Sequence, residues 1–301
     1  MNSTPKHILF FFVDGIGIGE NDPRTNPCAD PQWRFFNHTL VDSYPKSLPC
    51  NGYAFGLDAN LDTPGLPQSA TGQTALFTGV NASQLIGRHL NHKPNEQLRE
   101  VIREQSIFQR LKERGKSFAF LNAFRPPFFD YPTEELIRHL SVTSCMNHYA
   151  GGKFFDLEDL LARKCVYQDM TGDALREKGF DAPVYTPADA GRIIGEQVGE
   201  YDLCLYEYFQ TDFSGHSMDM ERARGELAKL DAFMSALLET VDLSDTLVLL
   251  TSDHGNIEDL SFKGHTRNPA MTLVFGAGRE RLLKTVGIME VSVVLENMLV
   301  G

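Results

Sequence analysis

The N-terminus lacks an apolar stretch long enough for a signal-peptide core or a membrane span: its run ILFFFV is six residues long and stops at Asp14. The expectation is a cytoplasmic protein. Cysteine is scarce, and the five present (Cys28, Cys50, Cys145, Cys165 and Cys204) show no CxxC spacing. That pattern suggests neither a disulfide framework nor a cysteine metal site, so the thiols are read as reduced. Blocks of Lys or Arg are also missing, and the formal charge is −12. Nucleic acid and anionic membranes both need a basic face, so neither is expected as the main partner. A small molecule or another protein fits better. Internal repeats and low-complexity segments are not evident. The 301 residues, 42% hydrophobic, suffice for a full core: one large α/β domain, or a core with a small insertion. Oligomeric state is not readable from the sequence.

Continuous apolar runs rich in aromatic and branched residues mark strands covered on both faces. HILFFFV (7–13) is one, and SFAFLNAF (117–124), DLCLYEYF (202–209), TLVLLTS (246–252) and MTLVF (271–275) are others. Helical patterns lie between them. IFQRLKERG (107–115) ends in a capping glycine, and ELAKLDAFMSALLE (226–239) puts Leu227, Leu230, Phe233, Met234, Leu237 and Leu238 on one face. The alternation predicts a doubly wound α/β fold with a mostly parallel sheet flanked by helices. Residues 126–186 lack a strong buried strand and are read as a small cap or insertion on a core of 1–125 and 187–301. Residues 20–68, rich in Pro, Asn and Asp, are read as a long loop excursion.

Three of the strands run into residues able to hold metal. Asp14 follows HILFFFV, Asp212 and His216 follow DLCLYEYF, and Asp253 and His254 follow TLVLLTS; His265 lies in a loop shortly downstream. Open α/β sheets bind ligands outside the carboxyl ends of their strands. Each residue alone is an ordinary loop residue; the ordered conjunction of DG, DxxxH, DHG and GHT is what points to a site. The set is oxygen plus imidazole, which suits Zn²⁺, Mn²⁺ or a similar first-row ion.

The stretches VDGIGIGE (13–20), SATGQTALFTG (69–79), TDFSGH (211–216), TSDHGNIED (251–259) and GHTRNP (264–269) together resemble the successive motifs of the alkaline phosphatase superfamily of metalloenzymes. The branch holding phosphopentomutase and cofactor-independent phosphoglycerate mutase is the most similar. The resemblance implies an alkaline phosphatase-like fold and two divalent ions, Mn²⁺ or Zn²⁺. Asp14, Asp253 and His254 would hold one ion, Asp212, His216 and His265 the other, and Ser69 would bridge towards the pair. Two ions roughly 3.5–4 Å apart clamp the attacking and leaving oxygens of an in-line phosphoryl displacement. The implied substrate is a small phosphorylated molecule.

Ser69 has two readings. It can cap a helix starting near Gly72, or it can be the nucleophile, activated by a cation rather than by a histidine base. No GxSxG elbow surrounds it, and the Cys/Ser-x-Pro-x-Arg pattern of sulfatases is absent at 69–73. In the resembling family the matching Ser or Thr is phosphorylated in turn; Thr71 is the substitute candidate here. Gln73 stands where the mutases have His, and the cap offers only about 60 residues against their large second domain. Phosphoester hydrolysis, of a monoester or a diester, is therefore preferred over phosphomutase chemistry. A metal-binding protein without turnover is a third reading. Arg88, Arg125, Lys263 and Arg267 are candidates for gripping phosphate oxygens, and His148, Tyr149 and Asp169 for substrate selection.

Overall fold

The apolar runs without polar alternation form five adjacent strands of one seven-stranded sheet in the computed structural model, which describes residues 4–301. Its strands are β1 (His7–Val13), β2 (Lys46–Leu48), β3 (Gly52–Leu57), β4 (Phe118–Phe120), β5 (Leu203–Tyr208), β6 (Thr246–Thr251) and β7 (Ala270–Gly276). Their spatial order is β2-β3-β7-β6-β1-β5-β4. The half β6-β1-β5-β4 is parallel. β7, β3 and β2 continue the sheet in antiparallel steps, so it is mixed, with its parallel part running from β6 to the β4 edge.

Alternation along β1 explains the two helical layers. Leu9, Phe11 and Val13 face one hydrophobic cluster, shared with the helices Pro187–Val198 and Met220–Thr240. Ile8, Phe10 and Phe12 face the other, shared with the helices Ser69–Thr78, Glu96–Gln105, Val142–Ala150 and Met289–Val300. Side chains two apart on a strand share a face, so one run of six apolar residues feeds both layers. Phe11 packs against Tyr206 and Phe233 at ring-centroid distances of 5.4 and 4.8 Å. Phe77 wedges against Phe10 and Phe12 at 5.1 and 5.4 Å, which seats the helix carrying Ser69 on the sheet.

Two segments differ from the sequence reading. The 20–68 excursion contains β2 and β3, which extend the sheet. Gly52 hides β3 from a pattern search: a Cβ there would sit 2.3 Å from the Phe275 ring, so the close approach to β7 requires a residue that disfavours strands. The 126–186 segment, read as a cap, packs into both clusters, through Val142, Cys145 and Met146 on one side and Phe155, Val166 and Tyr167 on the other. Val166 and Phe155 also bridge to Asn122 and Ala123 beyond β4. All five cysteines are free.

Phe77→Ala should destabilise the protein by about 3–5 kcal/mol, the usual cost of emptying a buried aromatic site. Urea unfolding followed by circular dichroism measures it.

Candidate metal centre

The strand order β6-β1-β5 brings three chain segments, distant in sequence, to one edge. Asp14 directly follows β1; its N–H donates to the Tyr208 carbonyl (2.9 Å), and its own carbonyl accepts from the Thr211 hydroxyl (2.5 Å). Asp212 occupies the first turn of the helix Gln210–Ser217, and His216 lies one turn later on the same face. Asp253 and His254 follow β6, both fully buried. His265 enters from the loop before β7, its Nδ1 set against the Pro67 carbonyl at 2.7 Å. That contact commits Nδ1 to donating and leaves Nε2 with a lone pair for the centre.

The six side chains converge. His254 Nε2 lies 3.3 Å from Asp14 Oδ1 and 3.5 Å from Asp253 Oδ2. Asp212 contacts His216 at 3.4 Å and His265 at 3.5 Å, and the two histidine Nε2 atoms are 3.3 Å apart. The rings of His254 and His265 stack at 3.7 Å. Two groups have ligand atoms mutually within 4.8 Å: Asp212, His216 and His265, and Asp14, Asp212 and His254. Asp212 belongs to both, so its carboxylate lies between the two triads rather than wholly in one.

The sequence leaves Ser69 either as a helix cap or as a nucleophile. The helix cap is Gln68, without a side-chain bond, and Ser69 is the first helical residue. Its hydroxyl lies instead 3.0 Å from His254 Nε2, facing the carboxylates. Gly72, one turn on, permits this: a Cβ there would stand 2.8 Å from the Asp253 carbonyl oxygen.

The residues fit a pair of hard-to-borderline cations. Asp14 Oδ1 and both oxygens of Asp253 are buried without any hydrogen-bond donor, a costly arrangement for a carboxylate unless a positive charge satisfies it. Burial, reinforced by the charges of Asp253 and Asp212, raises Asp14 well above the usual carboxylate range. Burial and the Asp212 charge push Asp253 up to about 7. Burial would raise Asp212 too, but hydrogen bonds with His216 and His265 hold it well below its ordinary value. Burial, then the neighbouring His265, takes His254 down to about 3, keeping it neutral as a ligand must be. For His265 burial is outweighed by the contact with Asp212, and the net shift is upward.

Several residues that the motifs did not single out hold this geometry. Gln73 donates to Asp14 Oδ2 at 3.2 Å, and Asn256 donates to Asp212 Oδ1 at 2.6 Å. Glu258 is the most connected. It is 1% exposed and accepts from Gly17 N–H and Asn256 N–H (2.8 Å each), from Asn268 Nδ2 (3.1 Å) and from the Thr266 hydroxyl. One carboxylate thereby ties together the loops that carry Asp14, His254 and His265. Its only sequence signal was its place inside TSDHGNIED.

The four candidate phosphate-gripping residues are all exposed, and none makes an ion pair among the described residues. Arg125 lines a cavity beside the sheet edge. Lys263 and Arg267 flank His265 on its loop, while Arg88 follows the short helix Ala82–Ile86. Asp169 accepts from the N–H groups of Gly172 and Ala174 at 2.9 and 2.7 Å, which makes it a loop-holding residue. Tyr149 lies under the Arg103 guanidinium, on the same helix as His148.

Comparison with known proteins fits this geometry. The model of the metalloenzyme superfamily matches residues 188–296, the part containing Asp212, His216, Asp253, His254 and His265. A 2,3-bisphosphoglycerate-independent phosphoglycerate mutase of Acetivibrio thermocellus is 31% identical over 90 residues, 28% of this chain and 18% of the mutase. The same-named enzyme of Thermococcus kodakarensis is 25% identical over 137 residues, 42% of this chain and 32% of that one. The matched stretches thus span well under two thirds of these relatives' length. Among solved structures, the alkaline phosphatase from the Antarctic bacterium TAB5 superposes with a TM-score of 0.55 at 14% identity, over 98% of both chains. A Pyrococcus horikoshii protein superposes with 0.57 at 13% identity, over 98% of this chain and 97% of that one. These superpositions show a shared fold.

Two outcomes are expected. A cation must displace the proton that Asp253 retains up to about pH 7 and the one that burial and the neighbouring carboxylates make Asp14 hold well above the usual carboxylate range. Mn²⁺ binding should therefore tighten as pH rises from about 5.5 to about 7.5, by up to about tenfold per pH unit per proton displaced. Calorimetry in buffers of different ionisation enthalpy counts those protons. Glu258→Gln should weaken Mn²⁺ binding by roughly 10–100-fold, read by the same titration on protein whose circular dichroism spectrum is unchanged.

Proposed function

We propose, from the match of residues 188–296 to the metalloenzyme superfamily and from the fold shared with an alkaline phosphatase, that this chain is a metal-dependent phosphoryl-transfer enzyme with Ser69 as nucleophile. The observation that carries the proposal is the Ser69 hydroxyl, free of capping duty and 3.0 Å from His254 Nε2, at the edge where three carboxylates and three imidazoles converge. Asp14, Asp253 and His254 would hold one divalent cation and Asp212, His216 and His265 the other, supplying the positive charge that makes a serine hydroxyl acidic and neutralises phosphoryl oxygens.

The chain's own groups do the rest. The helix Ser69–Thr78 aims its first free N–H groups and its positive dipole end at the phosphoryl group. Ser69 Oγ forms a bond to phosphorus as the P–O bond to the alcohol breaks; the serine proton passes to solvent, and the departing alkoxide takes one up from water. In the second half, water attacks the phosphoserine, which releases inorganic phosphate and restores the hydroxyl. The preferred overall reaction is phosphoester hydrolysis. Support comes from Gln73, whose amide is committed to Asp14 and offers no imidazole near the serine. Support also comes from the 126–186 segment, much of whose apolar surface is spent on the core rather than on a separate lid.

A phosphomutase is the second reading, favoured by the sequence likeness to the phosphoglycerate mutases. It differs only in the second acceptor, a substrate hydroxyl in place of water. Incubation with phosphoesters and Mn²⁺ or Zn²⁺ separates the two, since hydrolysis frees inorganic phosphate and a mutase conserves total ester. Ser69→Ala should lower turnover by at least about a thousandfold, by analogy with the loss of other activated nucleophiles, while metal content stays at two ions per chain. An unchanged rate refutes the role of Ser69.

A further inference from the structure

Next to the metal centre, on the same face of the sheet as the Ser69 helix, lies a cavity of about 230 Å³ that the proposed chemistry leaves unassigned. Glu207 belongs to β5 and pairs with Phe12, two residues before Asp14 on the neighbouring strand. Strand spacing and rise put its Cα roughly 8 Å from that of Asp14. Tyr206 and Tyr208 point into the opposite cluster, so Glu207 points with Leu203 and Leu205 towards the nucleophile layer.

The cavity has a carboxyl floor and aromatic walls. Glu207 is 7% exposed; one of its oxygens accepts from the Thr143 hydroxyl at 2.8 Å, and among the described residues no donor reaches the other. Asn122 is spent on the Glu207 backbone, donating to its carbonyl and accepting from its N–H at 2.8 Å each, and this fixes the residue in place. Phe124, Phe128, Phe209 and Tyr167 form walls, and Arg125 stands at the exposed rim. Phe209 begins the turn into the helix that carries Asp212, so one wall stands three residues ahead of a carboxylate of the metal centre.

Resting on the phosphoryl-transfer reading, we infer that this cavity receives the alcohol part of the substrate, and that the alcohol carries a planar ring with an N–H or O–H donor on its far side. Aromatic walls favour a flat apolar face by stacking and burial. Burial pushes Glu207 up to about 7, so above that pH its free oxygen rewards a donor and repels an anion. A short acid such as a phosphorylated hydroxy acid would set its carboxylate against Glu207. Glu207 and Phe124 are thereby specificity-determining residues.

Phosphonates test this without dependence on turnover or leaving-group acidity. Propylphosphonate, benzylphosphonate and 4-hydroxybenzylphosphonate are titrated calorimetrically into the manganese-loaded protein at about pH 8.5, where Glu207 is ionised. Benzylphosphonate should bind about tenfold more tightly than propylphosphonate, and the hydroxyl should add about another tenfold. Glu207→Gln should cut the hydroxyl gain to roughly threefold or less, because a neutral acceptor is about half as strong. Phe124→Leu should shrink the ring gain to a similar degree; should Glu207→Gln not fold, this comparison decides. Equal binding of all three phosphonates, or a hydroxyl gain untouched by Glu207→Gln, overturns the inference while leaving phosphoryl transfer standing. Failure of every phosphonate to bind overturns both.

Discussion

Three carboxylates share one buried corner of this protein, and the rest of the site is arranged around that electrostatic problem. Burial, and then the mutual repulsion of Asp14, Asp212 and Asp253 where water cannot screen them, makes Asp14 and Asp253 hold their protons to unusually high pH. Such a cluster is stable only when protonated or when cations occupy its midst. Strand order imposes the crowding: β6, β1 and β5 are adjacent, and each runs into an acidic residue at the same end. A sheet wound in another order would have scattered the same residues and removed both the repulsion and the site.

The surrounding residues hold the crowded groups in place. Glu258 collects donors from three loops, Asn256 and Gln73 pin Asp212 and Asp14, and the Pro67 carbonyl sets the His265 ring. Catalytic geometry needs side chains fixed to within about half an ångström, which packing and outer hydrogen bonds supply. Ser69 reaches the same spot from the opposite direction, carried by a helix whose Phe77 is locked between two phenylalanines of β1. Glu207 extends this layer by one strand, so the proposed alcohol pocket and the proposed nucleophile rest on one rigid platform.

The long apolar runs were legible because their burial on both faces leaves no polar alternation to confuse. The residues at their ends were legible because six of them recur in order with short, recognisable spacings. β3 was not, since Gly52 trades strand propensity for contact with Phe275. The 126–186 segment looked peripheral because its buried residues are spread over short helices, and only their neighbours reveal that they complete both clusters. Whether Ser69 caps its helix was also undecidable from a string, because a serine ahead of an apolar run is compatible with either position.

Sequence alone determined the class of fold, the donor types and the strands that end in them, since these follow from local patterning and chemistry. Tertiary structure decided which donors meet, that Asp212 stands between the two triads, that Glu258 joins three loops, and that Glu207 faces a cavity on the Ser69 side of the sheet. The reason is physical: distances between strand ends depend on strand order and crossover, which no local segment encodes.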